Sequence, residues 1–263
     1  MTVGQASEHS PKILRSCRRS VAIASAVLLT LAACGNETTT SSTGAGTSSE
    51  ELAASLVTAE DLGDGWSVTP DPETGETSGV VSEEVRDKLP RIQLCEKASA
   101  EAVAAAKALR WEAFRQLNLA TETESSQPAT PKPGQPPQHD LVFVQEFLMS
   151  GDPAEVQATY DALESGIRAC WGERTVTEDG EKDRTLRLRV PAVGEDRVGT
   201  RDIVTEPGPG RRAATWDLRS VLARDGEVLF SIMVAEVTTP KVDPVLDDAA
   251  VADIITTIAD KLP

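Results

Sequence analysis

The sequence predicts an α+β fold: a single twisted antiparallel β-sheet of about six strands, with helices packed mainly on one face. Three observations predict it. Four strand-like segments follow one another at residues 185–190, 197–205, 213–224 and 227–237, and strands joined by short turns pair antiparallel. Two more strand-like segments, 111–119 and 141–149, flank a proline-rich stretch. Helical periodicity lies before, between and after these runs, which is not the alternation of a βαβ chain.

The chain opens on a basic segment with Lys12, Arg15, Arg18 and Arg19, followed by residues 21–33 without a charge. This is the pattern of a secretory signal. The apolar run is shorter than the ~20 residues a helix needs to span a bilayer. Leu31, Ala32, Ala33 and Cys34 resemble the bacterial lipobox. The resemblance implies a diacylglycerol on the Cys34 sulfur and cleavage just before it. Several acyl chains anchor stably where one is marginal. Residues 1–33 are thus expected to be a lipoprotein signal peptide, and residues 34–50, rich in Ser, Thr and Gly, a flexible tether. The expected place is the extracytoplasmic face of the cell membrane, held through the lipid anchor.

Residues 51–263 are expected to form one α+β domain. Thr58 to Asp61 has capping-box spacing and Gly63 stops the turn. Trp66 follows in a strand or arm, and residues 82–88 read as a short helix before Pro90. An Ala-rich helix is expected over 96–109, since Ala is the best helix former. In the strand 111–119, Trp111, Ala113, Leu117 and Leu119 share a face with Arg115 as the exception. Residues 121–139 carry prolines at 128, 131, 133, 136 and 137, so they read as a long loop. The strand 141–149 leads to Asp152 and Pro153, an N-cap followed by proline at the first helical position. Val156, Tyr160, Leu163, Ile167 and Cys170 then fall on one helical face. In the next strand Leu186, Leu188 and Val190 point inward and Arg187 and Arg189 outward. Asp225-Gly226 is a two-residue hairpin signal, and Asp243-Pro244 is expected to cap the last helix.

Composition excludes several function classes. The whole chain has 26 basic and 42 acidic residues. The segment before Cys34 holds four of the basic ones and Glu8, which leaves 22 and 41 and a formal charge of −19. Nucleic-acid binding needs a basic footprint, so none is expected. One Tyr, four Phe and four Trp offer few stacking platforms for bases or sugars.

Catalytic and metal signatures are missing from the sequence. Beyond residue 33 the one histidine is His139, on which a Ser-His-Asp hydrolase would have to rely. Neither a Gly-x-Ser-x-Gly elbow nor a Ser-x-x-Lys pair occurs. One histidine and two cysteines make no usual zinc site. Residues 178–183 are acidic but lack the alternating ligands of a calcium loop. The expectation is a protein without cofactor, metal or catalysis.

Cys95 and Cys170 remain once Cys17 leaves with the signal and Cys34 takes the lipid. In an oxidising compartment a Cys95–Cys170 disulfide is the economical reading. The alternative is two buried thiols.

Residues 182–224 hold ten basic and six acidic residues, a basic island in an acidic chain. Strand alternation puts Arg187, Arg189, Arg197, Arg201 and Arg219 on the face opposite the core. Guanidinium forks suit phosphates and carboxylates. The two readings are an anion-binding face and a solvated face balanced by local Asp and Glu.

Residues 56–62 (Leu56-Val57-Thr58-Ala59-Glu60-Asp61-Leu62) with Gly65-Trp66 resemble the opening of a class of actinobacterial lipoproteins. Ala162-Leu163, Ala169-Cys170 and residues 193–196 fit in order. That class is related to the extracellular sensor domain of mycobacterial membrane Ser/Thr kinases. The resemblance implies a twisted antiparallel sheet with flanking helices and a ligand-binding cleft. It implies no catalytic residues, and often a second disulfide that this chain lacks the cysteines to form. The functional expectation is a lipid-anchored binding or sensor-like module. Its ligand would be a small molecule, a glycolipid or an envelope protein. A lipid or glycolipid carrier and a hydrolase using His139 are the alternatives.

Overall fold

The computed structural model describes residues 47–68, 79–86, 89, 91–120, 141–177, 180–207, 214–238 and 244–263. Cys34, His139 and the proline-rich segment 121–139 lie outside them.

The first helix, α1 (Ser49–Ser55), was not expected from the sequence. Ser48 and Glu51 form a reciprocal capping box, with the Ser48 amide donating to Glu51 Oε2 at 2.9 Å. The Thr47 amide donates to Glu227 Oε1 at 2.8 Å. Thr47 and Ser48, inside the tether expected over 34–50, are therefore held to the folded chain. The polar composition of that stretch concealed a Ser-x-x-Glu helix start.

A second capping box, Thr58 with Asp61, opens α2 (Ala59–Leu62), and Gly63 at φ +94° ends it. Three short elements follow: β1 (Trp66–Val68), β2 (Gly79–Val80) and α3 (Glu83–Arg86). Ser99 caps α4 (Ala100–Ala108), which starts four residues later than expected. After β3 (Ala113–Leu119) and β4 (Leu141–Ser150), Asp152 caps α5 (Pro153–Cys170). The remaining strands are β5 (Arg174–Val176), β6 (Lys182–Arg187), β7 (Asp196–Glu206), β8 (Ala214–Asp225) and β9 (Val228–Thr238). The last helix is α6 (Asp248–Ala259). Its cap is Asp247, whose carboxylate accepts from the Ala250 amide at 2.8 Å, and not Asp243.

All strands belong to one antiparallel sheet, in the order β1-β3-β4-β9-β8-β7-β6-β5, with β2 also pairing β3. Among the described residues the sheet has nine strands, where about six were expected. The extra ones, β1, β2 and β5, are two or three residues long. Such short edges carry no alternation for a sequence to display.

Helices cover both faces, which corrects the expectation of one. On the first face Ala113, Leu117, Leu148, Val221 and Ile232 form a core with Leu52 and Leu56 of α1 and Ile254, Ile255 and Ile258 of α6. On the second face Phe114, Phe147, Leu222 and Leu229 form a core with Tyr160, Leu163 and Ile167 of α5 and Ala106 of α4. Two-sided burial explains why β9 is an almost unbroken apolar run. It also splits the predicted face of residues 111–119. Trp111 joins the second core, and Ala113 and Leu117 join the first.

The α5 face is as expected: Val156, Tyr160, Leu163, Ile167 and Cys170 are buried. Gly166 lies on the same face because α4 approaches closely. A Cβ there would sit 2.7 Å from Ala102 Cβ and 2.9 Å from Leu94 Cδ1. The Cys95–Cys170 disulfide is formed, with its Cα atoms 5.6 Å apart, and ties the end of α5 to the segment leading into α4.

Candidate anion-binding site

Strand β6 pairs with β7 only as far as Arg187, which sits opposite Thr200. The last link is the Leu188 amide to the Gly199 carbonyl, at 3.1 Å. The strand expected over 185–190 thus lies over 182–187, and residues 188–190 peel away from the ladder. Gly199 permits this crossing. A Cβ there would lie 2.5 Å from Val190 Cγ2 and 3.2 Å from Leu188 Cβ. Pro191 follows, with no amide to continue a ladder.

The departure of β6 opens a surface pocket of about 210 Å³. Arg187, Arg189 and Arg197 line it, together with Arg168 and Trp171 from the end of α5. Leu188, Val190 and Val198 give it an apolar wall. Arg168 and Trp171 are three positions apart at the helix end and so lie on one side of it. The guanidinium carbons of Arg168 and Arg187 lie 5.0 and 5.2 Å from the Trp171 ring centroid. Both distances are within cation–π range. Trp171 Nε1 is buried without a hydrogen-bond partner.

The pocket arginines differ in their partners. Arg168 is held by Glu164, one helical turn back, at 2.6 Å. Arg187, Arg189 and Arg197 pair with no carboxylate among the described residues. Three acids of the neighbouring segments are engaged elsewhere. Glu195 and Asp196 both turn to Arg224, at 2.6 and 2.8 Å, and the hydrogen bond that Arg224 donates to Asp196 raises the Arg224 pKa. Glu173 pairs with Lys97.

The five arginines predicted to share one face are divided. Arg187, Arg189 and Arg197 line the pocket. Arg201 and Arg219 are directly opposite each other on β7 and β8, and Arg187 is on the opposite side of the sheet. Both bind Asp217 Oδ2, at 2.7 and 2.9 Å, and Arg219 is only 4% exposed. The hydrogen bond from Arg201 to Asp217 holds its guanidinium above the usual range. Arg201 and Arg219 are thus structural ions, spent on an internal carboxylate. Arg197, opposite Ala223, has the same parity on β7 as Arg201, so alternation alone could not separate the two sets.

Arg168 and Trp171 escaped the sequence reading. The signal available was a Trp immediately after the disulfide Cys170, with an Arg three positions before it. Among the described residues no group of three or more His, Cys, Asp or Glu is placed to hold a metal ion. Among the same residues no helix is long and apolar enough to cross a membrane.

No family model matches the chain, and no curated protein matches it. The resemblance to sensor-domain lipoproteins therefore has no support from sequence comparison. Among solved structures the chain is similar to LpqN, involved in cell envelope biogenesis of Mycobacterium tuberculosis. The identity is 9%, over 75% of this chain and 76% of that one, with a TM-score of 0.22. It is also similar to the human StarD13 (DLC2) lipid transfer and protein localization domain. There the identity is 9%, over 69% of this chain and 93% of that one, with a TM-score of 0.18. TM-scores this low carry no argument about fold or function.

Proposed function

We propose that the chain is a lipid-anchored extracytoplasmic binding module, without catalysis, that holds an anionic group of its ligand between Arg187, Arg189 and Arg197. One observation carries this reading. Three arginines around one pocket have no acidic partner among the described residues, while Arg168, Arg201, Arg219 and Arg224 all do. An exposed ion pair contributes little to stability, so unpaired guanidiniums cost the fold little and stay available.

Size favours this reading over a carrier of whole lipids. Pockets that enclose drug-sized ligands measure about 300–1,000 Å³. A volume of about 210 Å³ suits a charged group and leaves no room for acyl chains.

Anchoring rests on Cys34 and the lipobox resemblance. Cys34→Ala should move the protein out of the membrane fraction. The binding claim is tested by native mass spectrometry of protein purified from its own membrane. The expected result is a co-purifying anionic ligand that disappears in the Arg187→Glu, Arg189→Glu variant. Identical spectra for the two proteins would overturn the reading.

A further inference from the structure

We propose that the group held in this pocket is a terminal phosphate, recognised as its dianion by Arg187, Arg189 and Arg197. The proposal rests on the pocket reading above and adds the ligand class to it.

Oxygen count is the first argument. A carboxylate has two oxygens and satisfies one guanidinium fork bidentately. Here three arginines line one pocket from three separate points: the end of β6, the peeled segment and the start of β7. A phosphate monoester has three terminal oxygens and can face all of them.

Charge is the second argument. The pocket gathers three cations that no described carboxylate neutralises, and the neighbouring Glu195 and Asp196 are committed to Arg224. A monoanion would leave most of that charge uncompensated, and a dianion removes most of it. The apolar wall of Leu188, Val190 and Val198 lowers the local dielectric and so strengthens each contact.

Orientation is the third. Arg187 lies over the Trp171 ring, 5.2 Å from its centroid. A guanidinium held against a ring keeps its N–H edge for a ligand and loses less rotamer freedom on binding.

The phosphate could belong to a soluble ester or to a phospholipid headgroup, and the experiment separates the two. The full chain, kept in detergent, is titrated calorimetrically with phenyl phosphate, with benzoate and with short-chain phosphatidic acid. Phenyl phosphate should bind, and its affinity should rise several-fold between about pH 5 and pH 7 as the second proton leaves. Arg187→Gln with Arg197→Gln should weaken binding at least tenfold, whereas Arg174→Gln, on an edge strand outside the pocket, should not. Unchanged thermal melting of the double variant shows that it folds; Arg189→Gln alone serves if it does not. Phosphatidic acid binding more than tenfold tighter than phenyl phosphate assigns a lipid headgroup. Equal or weaker binding assigns a soluble ester, and both results support the proposal. Benzoate binding as well as phenyl phosphate, or no rise with pH, overturns the phosphate and leaves the anion pocket standing. No binding of any of the three anions, or equal loss in Arg174→Gln, overturns both.

Discussion

The carboxylate of Glu146 accepts a hydrogen bond from the Val57 amide at 2.9 Å, joining the middle of β4 to the end of α1. Arg115, directly opposite Glu146 on β3, donates to the carbonyls of Leu56 and Val57 at 2.9 and 2.7 Å. A buried acid and a half-buried base thus satisfy the backbone where the first helix turns into the second. Helix ends leave such groups without internal partners.

Burial pushes the Glu146 carboxyl up to about 8, against the pull of the Val57 amide and of the Arg115 and Lys261 charges. The folded pKa lies above the unfolded value of about 4.3, so the folded state binds this proton more tightly. The stabilisation is complete below about pH 4.3 and is lost as pH rises towards 8. Melting temperature should therefore fall between about pH 5 and pH 8, by on the order of 10 °C. Glu146→Gln keeps an acceptor for Val57 and should flatten that slope. Scanning calorimetry of both proteins across this range decides it, and equal slopes would refute the assignment.

Asp61 provides the opposite sign. Hydrogen bonds from Lys261 and Thr58 hold its carboxyl down to about 2, from an ordinary 3.8. Its contribution is present above pH 3.8 and is lost as pH falls through 2. Lys261→Gln should shift the acid unfolding midpoint to higher pH, read by circular dichroism. An unmoved midpoint would show that the pair does not hold α6 to α2.

The disulfide between Cys95 and Cys170 closes a loop of 75 residues. The chain-entropy model gives about 4.5 kcal/mol for that length. Cys95→Ala with Cys170→Ala should lose up to this amount in urea unfolding. Because Cys170 adjoins Trp171, the same variant should also loosen the arginine pocket and weaken anion binding. A loss of stability with affinity intact would separate the bridge from the site.

Asp217 holds two arginines, one of them buried. Asp217→Ala leaves the Arg219 charge with only the exposed Asp248, 3.7 Å away, and breaking a buried pair costs up to about 3–5 kcal/mol. Adding Arg219→Met should recover much of that loss, because the uncompensated charge is gone. Denaturant titration of the single and double variants measures the coupling, and additive losses would contradict it.

Gly199→Ala tests the crossing that forms the pocket. The new methyl would meet Val190 Cγ2 at 2.5 Å and the Ser220 carbonyl at 3.1 Å. Overpacking of this kind costs about 1–3 kcal/mol. It should also displace the Leu188–Val190 wall and reduce anion affinity, measured by the same calorimetric titration.

Local chemistry made much of this protein legible. The Thr58 and Asp152 caps and the buried face of α5 are each set by a few neighbouring residues, and the β8–β9 hairpin turns at Gly226-Glu227, one residue later than the expected Asp225-Gly226. The cysteine arithmetic led to the disulfide partners for the same reason, since few pairings exist. The arginine cluster was visible as a basic island, and three of its five members line one pocket.

What the sequence did not determine depended on which surfaces meet. Arg187 and Arg201 have the same local alternation, yet one lines a pocket and the other binds an internal carboxylate, because helices cover both sides of the sheet. The short strands β1, β2 and β5 exist only through their partners, as isolated pieces of two or three residues have no stability of their own. The pocket itself arises where β6 leaves β7 over Gly199. Local sequence set the elements, their caps and the supply of charge. Tertiary packing decided which charges were neutralised inside the fold and which were left to meet a ligand.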